Sequence, residues 1–433
     1  MSNIKIKTSD GKEEVISPEN LVAILPPTPS GTPSRVIHVE ATTTESEPLP
    51  KLKISETTTA TTPPSPTTTI KLDPQNTHII VSTKSGTEQA SQFYTQTLSP
   101  FLTALLPDQQ IPESNIHFTT SATSIKDLTT STFHPLANSG VSLTILLLSG
   151  DGGTIDLLNT LSFLPRSPTY KPPTISLFPL GTGNALAHSI RVTKDSTYGL
   201  STLAHGTPRP LPIFRATFSP GSRILVNEAR DSEQLPKDAN GKPTLYGAVV
   251  LSWGMHASLV ADSDTTEYRK FGVERFKMAA KEALYPASGA DPHAYKARVS
   301  VLRHGESKWH DLSREEHMYV LATLVSNLEK TFVISPASEP LDGHLRLVHF
   351  GPTSGDEAMR IMGLAYQGGK HVEDPAVGYE DLQGLRIRFE GREDDARWRR
   401  ICVDGTIVRL EEDGWVQVEV EKSNVLDVLC PAN

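Results

Sequence analysis

Two apolar runs, each closing on a glycine-rich turn and each followed by residues at helical spacing, constrain this chain more than any other feature. Residues 141–148 are almost wholly aliphatic and lead into Ser149-Gly150-Asp151-Gly152-Gly153-Thr154, then a helix from about 155 to 163. Some thirty residues on, 174–178 runs into Pro179-Leu180-Gly181-Thr182-Gly183-Asn184-Ala185-Leu186-Ala187, with a helix through 190. Short continuous apolar runs bounded by glycine are buried strands, and strands alternating with helices imply a parallel sheet covered on both faces. An earlier strand at 78–82 and a helix at 89–106 extend the same order upstream.

Such turns carry chemistry. Glycines let the backbone approach a phosphate closely, and the amides of the following helix supply donors and a favourable dipole. A carboxylate in a phosphate loop repels its ligand unless a base or a metal contact is needed, which makes Asp151 a candidate for either role. The competing reading is a tight strand-to-helix turn in which Asp151 is a cap. Two turns of this kind on neighbouring parallel strands would fall at one end of the sheet, where open α/β folds bind ligands, and this favours a nucleotide site. Neither turn matches G-x-x-x-x-G-K-[ST] or G-x-G-x-x-G, which argues against a P-loop enzyme and a dinucleotide dehydrogenase.

Beyond about residue 210 the texture changes to short strands separated by turn residues. Candidates are 245–251, 298–302, 318–324, 345–348, 385–389 and 416–420, a series that predicts an antiparallel β-sandwich. The polar stretch 227–244 reads as a surface insertion. The fold expected is therefore α/β plus all-β: a doubly wound parallel-sheet nucleotide domain over 76–212, then a β-sandwich lipid-binding domain over 213–433. Residues 41–70 hold eleven threonines and five prolines. They bury too little to offset chain entropy, so 1–75 is expected as a largely disordered extension, with 22–25 and 36–39 either short strands docked on the body or, equally, part of a floppy tail.

The formal charge of −9 over 433 residues argues against a nucleic-acid partner. Two cysteines, Cys402 and Cys430, define neither a disulfide framework nor a zinc site, and the fourteen histidines are scattered. The polar N-terminus lacks the apolar core of a signal peptide, and no apolar run is long enough to cross a bilayer. A cytoplasmic protein, touching membranes only from outside, is the expectation.

A third segment contains Trp253-Gly254-Met255-His256, Asp262, Tyr268-Arg269, Gly272 and Arg275-Phe276. Arg269 and Arg275 are six apart and share no face of a straight helix, but a break at Gly272 would let them converge on phosphate.

Together these segments resemble the diacylglycerol kinase catalytic family, and its sphingosine kinase branch most closely. Ser149-Gly150-Asp151-Gly152, with Asp156 and Asn159 behind it, looks like the family's first signature. Pro179-Leu180-Gly181-Thr182-Gly183-Asn184 is similar to its P-x-G-[ST]-x-N motif, which also speaks against a NAD kinase. Ala185-Leu186-Ala187, Trp253-Gly254 and the Tyr268–Phe276 pattern resemble the sphingosine branch. Asp342-Gly343 and Asp404-Gly405 fall where the family has paired D-G signatures.

The resemblance implies ATP, with Mg2+, in a cleft between the two domains, and Asp151 as base for the lipid hydroxyl. It implies nucleotide contacts from Ser82, Thr83, Lys84, Ser85, Gly86, Thr119, Gly150, Gly152, Asp156, Gly181, Thr182, Gly183, Asn184, Arg269, Arg275, Asp404 and Gly405. Ser149 and Asp262 would meet the substrate, a sphingoid long-chain base reached at a membrane surface; the alternatives are a diacylglycerol or ceramide kinase of the same fold, or a non-catalytic nucleotide- or lipid-binding relative. Counted forward from Gly254, Ser258 takes the place of Asp262. No metal ligand is assigned. Ser82-Thr83 and Thr406 depart from the family pattern, which has Asn-Pro and an acidic residue there, and Gly153 stands where many relatives have threonine.

Overall fold

The computed structural model describes residues 3–9, 11–27, 33–40, 49–57, 72–86, 88–272 and 274–432. It divides into two units: residues 1–154, 164–210 and 425–433 form one, and 155–163 and 211–424 the other.

The first unit is built on a six-stranded sheet. Four strands, Thr77–Val81, Ile116–Phe118, Thr144–Ser149 and Thr174–Pro179, are parallel, and Asp427–Cys430 pairs in parallel with the last of them. Thr207–Pro210 closes the edge antiparallel to Asp427–Cys430. Thr77–Val81 and Thr144–Ser149 are buried along almost their whole length, which is why they read as unbroken apolar runs rather than alternating ones. The chain passes from Thr77–Val81 to one neighbour, Ile116–Phe118, and later returns to the other, Thr144–Ser149. The topological switch point therefore lies between Thr77–Val81 and Thr144–Ser149, at the ends where the loops 82–86 and 150–153 emerge.

The N-terminal residues depart from expectation. The strands expected at 22–25 and 36–39 are present as Leu21–Leu25 and Ser34–Glu40, and they form a meander with Lys51–Thr57, inside the threonine-rich stretch expected to be disordered. Val22, Ala23, Ile37 and Val39 join the core of Ile79, Phe93, Leu148 and Phe178, and His205 Nε2 lies 3.1 Å from the Val22 carbonyl. The short apolar run at 36–39 was the available signal; threonine content masked the pairing strand beside it. The rest of the stretch, 41–48 and 58–71, lies outside the described residues.

Among the described residues the second unit holds two large antiparallel sheets and a small pair, Tyr295–Lys296 with Glu316–His317. One orders Thr244–Gly247, Ile213–Phe218, Trp415–Glu421, Gly384–Arg388, Arg298–Leu302 and His310–Asp311. The other runs Asp231–Gln234, Arg223–Val226, Thr406–Arg409, Arg400–Val403, Val250–Gly254, Tyr319–Thr323, Leu345–Phe350 and Val377–Leu382. Their inner faces meet at contacts such as Trp253 on Phe389, ring centroids 5.6 Å apart. The helices Met255–Ser263, Glu274–Leu284 and Gly355–Ala365 also belong to this unit, and Met255–Ser263 packs on the eight-stranded sheet.

Three boundaries differ from the sequence reading. The run expected as one strand over 245–251 is two strands that belong to different sheets, interrupted at Ala248 and Val249. The polar insertion at 227–244 contributes the edge strand Asp231–Gln234. The last strand, Asp427–Cys430, belongs to the first unit rather than to the sandwich, because Val428 and Leu429 are buried in the parallel sheet.

Candidate active site

Three glycines from three loops press their backbones together at the switch point. A side chain on Gly181 would stand 2.3 Å from the Gly150 Cα; one on Gly86 would meet the Leu180 carbonyl oxygen at 2.4 Å. A Cβ on Gly150 would in turn lie 2.9 Å from the Gly181 Cα. No side chain fits at these three positions, so the glycines first serve loop-to-loop contact. Gly152 differs: a Cβ there would meet nothing within 4 Å, so open space lies over the first turn of the helix Asp151–Phe163. The helix starts at Asp151, four residues before the expected start.

Side chains lock the loops in register. Ser85 Oγ accepts from the Gly150 N–H at 3.1 Å. Asn184, in the left-handed region at φ 52°, takes the Gly181 N–H on Oδ1 at 3.0 Å and donates Nδ2 to the Gly181 carbonyl at 2.9 Å. An amide side chain both tolerates this conformation and closes its own turn, which explains asparagine there.

Asp151 joins the two signature loops. Its Oδ2 accepts from Ala185 N at 2.7 Å and its Oδ1 from Leu186 N at 3.0 Å. It is thus a cap, as the structural alternative had it, but of the short helix Ala185–Ser189 and not of its own. Burial pushes its carboxyl above the ordinary value, more than the two backbone N–H bonds lower it. A carboxylate has about four lone-pair sites, so two accepted bonds leave capacity for a proton.

The neighbouring predicted residues of the first unit fall at the same ends of the sheet. Thr83 donates its N–H to Thr119 Oγ1 at 3.0 Å and its hydroxyl to the Thr119 carbonyl at 2.8 Å. Ser82 Oγ is buried with no hydrogen-bond partner among the described residues. Lys84 is exposed and pairs with Glu88 at 3.6 Å. Thr182 and Gly183 are half-buried in the turn that Asn184 closes. Ser149 is buried, and a Cβ at Gly153 would lie 2.6 Å from its Oγ. Threonine at 153 is incompatible with serine at 149 in this backbone.

Several predicted residues of the second unit have their polar groups engaged within it. Asp404, at φ 46°, accepts from Ala248 N at 2.7 Å and from Val250 N at 2.5 Å, with Val249 N at 3.2 Å. The carboxylate thereby clamps the interruption at 248–249, and Gly405 follows at φ 90° to complete the hairpin. Asp342 likewise receives Arg346 at 2.8 Å. Asn159 donates Nδ2 to the Tyr246 carbonyl at 2.8 Å and accepts the Tyr246 N–H at 2.9 Å, a two-bond match to a strand edge. Asp156, one turn earlier, is half-buried on the same helix.

Asp262 is held by two guanidinium groups, Arg400 at 2.8 Å and Arg397 at 3.0 Å. Burial alone would raise its pKa, but these partners hold it below the ordinary carboxylate value. Ser258, the alternative at this place, accepts the Tyr295 hydroxyl at 3.0 Å. Arg275 pairs with Asp264 at 3.1 Å. The helix does break where expected, with Thr266–Arg269 and Glu274–Leu284 on either side of Gly272 at φ 54°. The Arg269 side chain lies outside the described residues.

Among the described residues no group of three or more His, Cys, Asp or Glu side chains is placed to hold a metal ion. Magnesium in nucleotide sites is generally bound by one or two carboxylates plus substrate phosphates.

Comparison with known proteins now bears on this geometry. Residues 76–216 match the family model of the diacylglycerol kinase catalytic domain. That segment is similar to a lipid-kinase catalytic domain. Among solved structures, a Bacillus anthracis strain Sterne protein assigned as a diacylglycerol kinase is similar at 16% identity, with a TM-score of 0.54 over 82% of this chain and 97% of its own. A second structure with the same assignment and organism matches at 14% identity and a TM-score of 0.52, with the same coverage. At these identities the likeness is one of fold. No curated protein sequence matches the chain.

Proposed function

We propose that this protein is an ATP-dependent lipid kinase, transferring the γ-phosphoryl group of ATP to a lipid hydroxyl. The observation that carries the reading is the meeting of the loops at Gly86, Gly150 and Gly181, with the Asp151 carboxylate fixed between them. That constellation stands at the carboxyl ends of parallel strands, inside the segment that matches the kinase family.

The residues divide the work as follows. The open space over Gly152 and the backbone donors of the following turn receive phosphate oxygens. Thr83, Ser85 and Thr119 fix the loops that flank it. Asp151 accepts the proton of the attacking hydroxyl as the new O–P bond forms and the bond from the γ-phosphorus to the β-γ bridging oxygen breaks; ADP leaves, and the proton passes on to solvent. A carboxyl raised above its ordinary pKa is a better base than a free one. Magnesium, bound with the nucleotide, would neutralise phosphate charge. No helix among the described residues is long and apolar enough to cross a membrane, so the lipid would be met by transient surface contact.

Two substrate classes compete. The Asn184–Ala187 and Trp253-Gly254 patterns favour a sphingoid long-chain base, whose ammonium would seek the Asp262 carboxylate. The pairing of Asp262 with both Arg397 and Arg400 favours a neutral head group, since two cations on one anion leave no net attraction for a third. We take the neutral lipid as the better-supported class. The experiment is a panel of diacylglycerol, ceramide and sphinganine with radiolabelled ATP, for the wild type and for Asp262→Asn. Turnover of sphinganine alone, abolished in the variant, would reverse this choice. Absence of turnover on every lipid by folded, ATP-binding protein would remove the kinase reading itself.

A further inference from the structure

Three arginines stand side by side across neighbouring strands of the eight-stranded sheet. Arg223 on the strand Arg223–Val226 lies directly opposite Arg409 on Thr406–Arg409, and Arg409 lies directly opposite Arg400 on Arg400–Val403. Residues opposed in an antiparallel pair project from one face with their Cβ atoms about 4.5–5.5 Å apart, and like charges so placed repel. Gln234 continues the row on the edge strand, opposite Arg223.

The charge of this row is compensated at one end only. Arg400 is 7% exposed and gives Nη1 to Asp262 at 2.8 Å, but Arg397 shares that carboxylate. The Nε and Nη2 groups of Arg400 meet no acceptor among the described residues. Arg223 and Arg409 form no side-chain ion pair or hydrogen bond with any described residue. Both are half-buried, and each sits on a strand paired on both sides, so what water reaches is chiefly side chain.

The neighbouring part of the face is covered. Ala257, Val260 and Ala261 of the helix Met255–Ser263 pack on Cys402, Ile407 and Leu225. Those three sheet residues are two positions along the same strands from Arg400, Arg409 and Arg223, so they share the arginines' face. The row therefore borders the footprint of the helix, with Asp262 near the end of that helix reaching Arg400.

We propose that Arg223 and Arg409, backed by the buried charge of Arg400, bind a phosphate group at this face. Guanidinium forks match phosphate oxygens bidentately. One fork satisfies the two oxygens of a carboxylate, whereas the three oxygens of a phosphate monoester engage two. The row covers two strand spacings, about 10 Å, which suits one or two phosphates and is too short to track a polyanion. The group comes either from the head of an anionic phospholipid or from a free phosphate ester, and both present the same chemistry. The site belongs to the second unit and stands independently of the kinase reading.

The test measures the Tm of the wild type and of the double variant Arg223→Gln/Arg409→Gln, in inorganic phosphate and in chloride at equal ionic strength. In chloride the variant should melt at the wild-type temperature or slightly above it, because a like-charge pair has been removed. Phosphate at about ten times its dissociation constant should raise the wild-type Tm by about 3–5 °C and leave that of the variant unchanged. Flotation with phosphatidylcholine vesicles, with and without phosphatidic acid, then identifies the source. Capture by the phosphatidic acid vesicles alone, lost in the variant, assigns the site to a lipid head group. No capture, or capture that the variant retains, assigns it to a free phosphate ester. A wild-type Tm equal in phosphate and chloride overturns the proposal. So does a phosphate-dependent rise that persists in the double variant, since the anion then binds elsewhere.

Discussion

Asp151 and Leu186 are joined by a hydrogen bond of 3.0 Å that links two loops thirty-five residues apart, and a companion bond from Ala185 completes the pair. The carboxylate is therefore both a tie between the signature loops and a candidate base. A substitution that removes one role cannot leave the other untouched.

Asp151→Asn illustrates the point. An amide offers one oxygen, so one of the two N–H donors would face an NH2 group instead of an acceptor. We expect a loss of about 1–3 kcal/mol in stability together with a fall in kcat of about 10²–10⁴-fold. Chemical denaturation separates the two effects. In the wild type, the acid limb of the kcat/KM profile should have its midpoint above the ordinary carboxylate range, as burial raises Asp151. An acid limb at the free-carboxylate value would assign it to some other group.

The glycines give a prediction with an internal control. Gly181→Ala places a methyl group 2.3 Å from the Gly150 Cα, and backbone cannot yield cheaply. It should lower the Tm steeply and abolish ATP binding. Gly152→Ala meets nothing in the protein and replaces a poor helix former, so it should stabilise by up to about 1 kcal/mol. If phosphate occupies the space above it, the same variant loses ATP affinity in calorimetric titration. Unchanged affinity would move the phosphate site elsewhere.

Asp404 tests the division between clamp and ligand. Three consecutive amides, from Ala248 to Val250, converge on its carboxylate. Asp404→Ala should cost about 3 kcal/mol by urea unfolding, the range for a charged acceptor lost from buried donors. A variant that unfolds at the wild-type urea midpoint would show the clamp to be dispensable.

How much of this was legible beforehand depended on whether the signal was local. The strands at 144–149 and 174–179, the turns behind them and the break at Gly272 are written in runs and glycines, and they appear where expected. The role of Asp151 as a cap on another helix was not legible, because the acceptor and its donors are far apart in sequence. The same holds for Asn159 on Tyr246 and for Arg397 and Arg400 on Asp262: each partner is set by sheet order, which no local pattern encodes. Lys51–Thr57 hid inside a threonine-rich composition, although β-branched threonine suits a strand once a partner is present.

Acid stability follows from histidines held neutral in the interior. His78, His256, His317 and His349 are each lowered to about 4, chiefly by burial, with Arg314 adding to the effect at His317 and His349 and His117 at His78. In the unfolded chain these rings bind a proton near 6.5, whereas the folded protein resists it until about 4. The unfolded state therefore holds more protons throughout that window, and stability must decline as pH falls through it. Above pH 6.5 this contribution is complete and flat. We expect a loss of about 3 kcal/mol or more between pH 6.5 and 4.5, at roughly 1.4 kcal/mol for each unit of displacement, far steeper than exposed histidines would give. Urea midpoints across that range measure it, and calorimetry in buffers of different ionisation heat should show net proton uptake on unfolding. A midpoint constant from pH 6.5 to 4.5 would mean that these rings reach solvent, and the lowered proton affinity of all four would fall with it.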